Sequence, residues 1–251
     1  MEGNPIENRV PEVDKRELTP TEKQELFSKW KTPLDVILPG INIAGLNRDE
    51  EFKRYEAPTD EITLHNSYHE GRGDGAGTEY IMGILDYFNP GYKKSAEVLG
   101  IRNFIEPFFK GRVVVDLGAG DAGGYYLARE CHAKGYISVD KFRHPFVDYR
   151  IQESLFHGGS KAQNIPFAVV MEDMLEFLRR LPAESVSILT SAVTVGIRRE
   201  YAHQVEDEIV RVLDPQGAYI THFSEFTPET LKMEKSKHYP DRWGGLVRFT
   251  K

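Results

Sequence analysis

The chain has 251 residues, 40% of them hydrophobic, with 32 Lys+Arg against 39 Asp+Glu and a formal net charge of -7. That is enough for one α/β domain with an appendage, and the acidic balance, with a pI near 5.7, argues against a broad phosphate-binding face, so nucleic acid is not the favoured partner. The longest uncharged run, Ser185 to Ile197, contains hydroxyl residues and falls short of the roughly 18 apolar residues of a membrane span.

Met1 to Val13 is acidic and polar, with no basic stretch leading into an apolar core, so no secretory signal is legible and the expected location is cytoplasmic. Cys131 is the only thiol, which excludes an internal disulfide and a cysteine-rich zinc site.

Residues 1 to 18 are polar and aperiodic and read as a loose arm. Thr19-Pro20-Thr21-Glu22 then supplies an N-cap, a proline at the first helical position and a Glu three residues past the cap. A helix over about Pro20 to Lys31 follows from it. The stretch from Pro33 to Pro58 mixes an apolar run, Val36-Ile37-Leu38, with a charged segment and gives no firm assignment. His65-Asn66-Ser67-Tyr68-His69-Glu70 leads into Gly71, Gly73, Gly75 and Gly77, a spacing that reads as loop. Thr78 caps a helix through Phe88, and a further helical stretch from Lys93 to Lys110 is expected to be broken or kinked at Gly100 and Pro107.

From Gly111 strand and helix signals alternate, which predicts a mostly parallel sheet with helices on both faces, a Rossmann-like doubly wound α/β fold. Strands are expected at about Arg112 to Leu117, Tyr136 to Val139, Phe167 to Met171, Ser185 to Ser191 and Ala218 to Phe223. Helices are expected at Gly124 to Lys134, in part of Pro145 to Phe156, and at Glu172 to Leu181 and Glu200 to Leu213. The division is then an N-terminal arm and helical lid over residues 1–110 and an α/β domain over residues 111–251.

The chemistry concentrates in Asp116-Leu117-Gly118-Ala119-Gly120-Asp121-Ala122-Gly123-Gly124, a turn between a buried strand and a helix. Gly118 allows the sharp turn, Gly120 lets a ligand approach the backbone, and Gly123 permits close helix packing. Asp140 stands 24 positions after Asp116, at the end of the next strand, where a carboxylate accepts ribose hydroxyl hydrogen bonds. Asp116 selects the nucleoside by the sign of its charge: an anion two residues before the first glycine repels a dinucleotide's pyrophosphate and favours a cationic amino group.

At this point the sequence resembles the class I S-adenosylmethionine-dependent methyltransferases, whose first motif is an acid followed by Gly-x-Gly. The resemblance spans about Arg112 to Phe223. It implies a cofactor site made by Asp116, Gly118, Ala119 and Gly120, by Asp140 with Lys141 beside it, by Asp173 and Met174 after the third strand, and by Ser191 after the fourth. In it Asp173 holds the adenine amino group while Met174 packs on the ring; the competing reading of Asp173 is an acid at a helix N-terminus. Leu213-Asp214-Pro215-Gln216-Gly217 resembles the family's turn before the fifth strand, with Gln216 in place of a glycine.

The implied acceptor lies beyond strands four and five, near Ser191, Ala192, Thr194, His222, Ser224 and Glu225, under a lid from His65 to Thr78. His222, His69 and Tyr68 are the candidates for proton handling, with His65 four residues before His69. A metal there would need a third donor from Glu70 or Asp74, and no metal is assigned. The fourth-strand segment lacks the Asn/Asp-Pro-Pro-aromatic tetrad of amino-methylating DNA enzymes, the chain lacks a Pro-Cys nucleophile, and no paired-glutamate loop is visible, so the acceptor expected is a small molecule. The family's closing two-strand hairpin reads as abbreviated, and its open edge leaves room for completion by a second chain. Two other readings stand beside this one: a nicotinamide-dependent oxidoreductase, from the formal G-x-G-x-x-G match, and a cofactor-binding interaction subunit without catalysis.

Overall fold

A computed structural model describes residues 19–46, 96–120, 122–141, 147, 151–152, 155, 162–190, 199–221, 234–239 and 246–251. Seven strands form one sheet: β1 (Val113–Leu117), β2 (Gly135–Asp140), β3 (Phe167–Met171), β4 (Val186–Thr190), β5 (Tyr219–Thr221), β6 (Glu234–Tyr239) and β7 (Leu246–Thr250). Their order is β3-β2-β1-β4-β5-β7-β6. The first five pair in parallel, and β7 runs antiparallel to both β5 and β6. Every residue of β1 and β4 is buried, as central strands covered on both faces require.

The helices are α1 (Pro20–Trp30), α2 (Leu34–Ile37), α3 (Ala96–Phe109), α4 (Gly124–Glu130), α5 (Met174–Arg180) and α6 (Arg199–Val212). Residue alternation along the strands splits the core in two. Val114, Tyr136, Phe167 and Leu189 pack with Phe27, Ile105, Phe109 and Tyr125 on one face. On the other, Val113, Val115, Leu117, Ile137 and Val139 pack with Ile37, Leu38, Leu175, Val205 and Ile209. The N-terminal segment is part of both layers. Its capping box forms as read, with Glu22 N–H donating to Thr19 Oγ1 at 3.3 Å and Thr19 N–H to Glu22 Oε2 at 2.8 Å. Past α1 the Thr32 amide donates to the Phe167 carbonyl at 2.9 Å, against the outer edge of β3.

Three details differ from the sequence reading. The helix expected to be broken or kinked at Gly100 and Pro107 is continuous from Ala96 to Phe109; Pro107 removes one N–H bond to residue 103, and only Phe108 and Phe109 follow it in the helix. The run that resisted assignment contains the single turn α2, with Ile37 so close to Gly135 that a Cβ there would come within 2.8 Å of Ile37 Cγ2. The closing hairpin has both strands, with a register irregularity between Glu234 and Lys237. The segment Glu-Lys-Ser-Lys-His-Tyr of β6 gives no apolar alternation because it is an edge strand, where charge discourages pairing with other chains. The helix expected from Thr78 lies outside the described residues.

Candidate functional site

β1 has β2 on one side and β4 on the other, so the chain order reverses at β1, and the crevice beyond its carboxyl end is where open parallel sheets take ligands. The turn that follows β1 is built for close approach. Gly118 and Gly120 have φ of 64° and 53°, the left-handed region that side chains avoid. Ala122 shares that conformation at φ 62° and is held there by its amide, which donates to the Ala119 carbonyl at 2.8 Å, and by the Tyr125 amide, which donates to the Ala122 carbonyl at 3.1 Å. The Ala119 amide donates across to the Val139 carbonyl at 3.1 Å, tying the turn to the end of β2.

Asp140 ends β2, half-buried, and its Oδ2 accepts the Gly120 amide at 2.9 Å. Its carbonyl accepts the Glu172 amide at 3.0 Å. The same residue therefore joins the glycine turn to the end of β3. Lys141, next to it, is exposed.

Asp116 lies beneath the turn. It is 0% exposed and its Oδ2 accepts the Tyr136 hydroxyl at 2.7 Å. The carboxylate sits directly below Gly124, where a Cβ would overlap Asp116 Oδ2 and come within 2.7 Å of Leu189 Cδ2. Among the described residues the carboxylate thus meets the underside of the turn and the Tyr136 hydroxyl.

Asp173 caps α5. Its Oδ1 accepts the amides of Leu175 and Glu176 at 3.0 and 3.4 Å and the Tyr201 hydroxyl at 2.7 Å. The capping role weighed for it in the sequence is thus present, and Oδ2 is left as the acceptor that faces no hydrogen-bond donor among the described residues. Burial first, and the Asp173 contact second, push the Tyr201 phenol above its ordinary range. Met174 is half-buried against the α5 and α6 layer. Beside this pair Glu172 receives Arg180 in a two-pronged ion pair, Nη2 to Oε1 at 2.6 Å and Nε to Oε2 at 2.8 Å. Arg180 also donates to the Ala44 carbonyl at 2.6 Å, which fastens residues 42–46 to the crevice rim.

The turn with Gln216 lies at the opposite, amino end of the parallel strands. Arg112 Nη2 donates to Gln216 Oε1 at 2.7 Å and its Nε to Asp214 Oδ1 at 3.1 Å. Gly217 is obligatory, because a Cβ would come within 2.8 Å of Ser187 Oγ.

Gly118, Ala119, Gly120, Asp140 and Asp173 thus stand at or just past the carboxyl ends of the adjacent strands β1, β2 and β3. Ser191, His222, His69 and Tyr68 lie outside the described residues, as do His65 and the rest of the expected lid. Among the described residues no group of three or more His, Cys, Asp or Glu is arranged to hold a metal ion, and no helix is long and apolar enough to cross a membrane. Tyr136, Tyr201 and Arg180 were not singled out from the sequence, because their partners are 20, 28 and 8 positions away and meet them only through strand register and helix packing.

The sheet order, the reversal at β1 and the antiparallel β7 make this a Rossmann-like, mostly parallel α/β fold. No protein-family model matches the chain, and no curated protein sequence matches it. Solved structures do. An arsenic(III) S-adenosylmethionine methyltransferase from Chlamydomonas reinhardtii is 21% identical over 46% of this chain and 39% of its own, with a TM-score of 0.36. A 1,6-didemethyltoxoflavin-N1-methyltransferase from Burkholderia thailandensis, solved with 1,6-didemethyltoxoflavin and S-adenosylhomocysteine, is 15% identical over 78% of this chain and 76% of its own, with a TM-score of 0.39. A putative S-adenosyl-L-methionine-dependent methyltransferase from Methanococcus maripaludis is 11% identical over 71% and 90%, with a TM-score of 0.47. The match spans well under two thirds of the Chlamydomonas protein.

Proposed function

We propose that the chain binds S-adenosylmethionine in the crevice beyond β1 and β2 and transfers its methyl group to a small-molecule acceptor. The observation that carries the reading is the pairing of the Gly120 amide with Asp140. It couples a turn of two left-handed glycines, open to a ligand's backbone contacts, with a carboxylate at the next strand's end, where ribose hydroxyls are received in nucleoside-binding α/β folds. In this reading Gly118, Ala119 and Gly120 line the amino-acid half of the cofactor, Asp140 takes the ribose, and Asp173 Oδ2 accepts from the adenine amino group with Met174 against the ring.

Bound there, S-adenosylmethionine supplies a methyl group on a sulfonium, with a neutral thioether as leaving group. The chain's own work is alignment and exclusion of water. A base is needed only where the acceptor sheds a proton, and His222, at the end of β5's segment, is proposed for that role, with His69 and Tyr68 from the expected lid as the other candidates. The acidic net charge and the absence of the DNA- and arginine-methylating signatures support a small acceptor. The reading sets the protein in the cytoplasm, acting without a membrane or nucleic-acid partner.

Calorimetric titration with S-adenosylhomocysteine tests it. Binding is expected in the wild type and is expected to be lost in Asp140→Ala and in Gly118→Val, whose β-branched side chain cannot hold φ near 64° without strain. Unchanged affinity in both variants removes the assignment, and saturable quenching of NADH fluorescence in its place establishes the oxidoreductase reading.

A further inference from the structure

We propose that Tyr136 is a positioning residue for the amino-acid half of the cofactor, acting through Asp116 and the first turn of α4; the inference rests on the cofactor reading above. Tyr136 stands on β2, opposite Val114 in register, and points to the same face as Asp116 on the neighbouring strand. It is 0% exposed and its ring packs edge-on against Tyr125, centroids 5.7 Å apart. Tyr125 is itself fixed, its hydroxyl donating to the Ile165 carbonyl at 3.0 Å. The Tyr136 ring therefore has no room to swing, and its hydroxyl delivers a hydrogen bond to Asp116 Oδ2 at 2.7 Å from a set direction.

That bond decides the height of the glycine turn. Asp116 Oδ2 occupies the space a side chain at 124 would fill, so the backbone of Gly124 rests on the carboxylate. From Gly124 the contacts run back without a gap: Tyr125 N–H to Ala122 O, Ala122 N–H to Ala119 O, and Gly120 N–H to Asp140. A phenylalanine at 136 would fill the same volume on the apolar side. What the hydroxyl adds is a donor to a carboxylate that has no exposed surface, and such a group moves to find another donor when it loses one. The nearest thing it can move is the turn.

The expected consequence is selective. Tyr136→Phe should weaken S-adenosylhomocysteine about tenfold, while 5′-methylthioadenosine, which carries the same nucleoside and no amino-acid half, changes less than about twofold. Amide hydrogen exchange on the unliganded protein should accelerate across residues 118–126 with β3 amides unchanged. Asp116→Asn, which keeps the shape and still accepts from the Tyr136 hydroxyl, is the control: exchange across residues 118–126 should stay near wild type in it, and acceleration there equal to that in Tyr136→Phe overturns the proposal. Equal weakening of both ligands in Tyr136→Phe would mean general loosening and overturns the proposal, as does S-adenosylhomocysteine affinity within twofold of wild type in that variant. Wild-type protein that binds neither ligand overturns the cofactor reading and this inference with it, whereas normal wild-type binding with unaltered selectivity in Tyr136→Phe overturns this inference alone.

Discussion

The Gly120 amide donates to Asp140 Oδ2 at 2.9 Å, so the carboxylate assigned to the ribose also pins the glycine turn to β2. Two functions on one side chain separate in Asp140→Asn. The amide oxygen can still accept from Gly120, but the NH2 group repels a second donor, and a charge-assisted bond to a ribose hydroxyl is lost. The expected outcome is a ten- to hundredfold loss of S-adenosylhomocysteine affinity, about 1.4 to 2.7 kcal/mol, with a thermal midpoint within about 3 °C of wild type. Titration calorimetry and a thermal melt read the two effects separately; a large fall in midpoint with intact affinity would assign Asp140 to the turn alone.

How much of this was legible in the sequence depends on whether a partner is local. The glycine turn was readable because a β-branched strand, four glycines and a helix follow one another within Val113 to Glu130, and Asp140 because one βαβ unit fixes its distance from the turn. The Thr19 capping box spans only four residues, Thr19 to Glu22, and was read in full. The Tyr136 to Asp116 bond was not legible, since it exists only once β1 and β2 are paired in register. Nor was the Arg180 bridge to Glu172 and Ala44, which needs α5 and residues 42–46 on the same face. β6 escaped because its charged sequence answers to the need of an edge strand and not to a buried face. The burial of Asp116 also escaped: spacing gives the charge and its place in the chain, while the side it faces comes from strand alternation that puts it with Val114.

Gly124→Ala tests the packing of the turn against Asp116. In an ordinary helix this change stabilises by up to about 1 kcal/mol. Here the added methyl meets Asp116 Oδ2 and stands 2.7 Å from Leu189 Cδ2, and the carboxylate is held by Tyr136 and buried on every side. Overpacking of this kind costs about 1–3 kcal/mol and outweighs the propensity gain. Urea unfolding should show a net loss of about 1–2 kcal/mol; a gain would mean that Asp116 can give way at no cost.

Glu206 predicts a pH dependence of stability. It is 2% exposed, its Oε1 has no hydrogen-bond partner among the described residues, and its Oε2 lies 3.2 Å from His203 Nδ1. Burial raises its carboxyl above the ordinary value, aided by Asp207 and opposed by His203, with the Tyr219 phenol facing it from β5. The folded protein therefore keeps a proton on Glu206 that the unfolded chain releases near pH 4.3. Stability then falls as pH rises from that value until the folded carboxyl has also ionised. Glu206→Gln, which keeps an acceptor for His203, removes this loss. Its advantage over wild type in urea unfolding should grow as pH rises above about 4.3; a difference that stays constant with pH would show that Glu206 is charged in the fold at no cost.

Gln216→Gly restores the glycine pair that the related turn usually carries, and it should nonetheless destabilise. The side chain at 216 accepts from Arg112 Nη2 at 2.7 Å, and the same guanidinium reaches Asp214 Oδ1 and the carbonyls of Pro107 and Lys110. Arg112 thus clamps the end of α3, the start of β1 and the turn before β5. Gln216 contributes one partly exposed hydrogen bond to a cation, and glycine adds chain entropy to the unfolded state, so a loss of about 1 kcal/mol is expected. Because this clamp sits at the amino end of β1, with the length of the strand between it and Gly118, S-adenosylhomocysteine affinity should remain within twofold of wild type. A binding defect larger than the stability loss explains would show that the two ends of β1 are coupled, and the turn would then belong to the cofactor site.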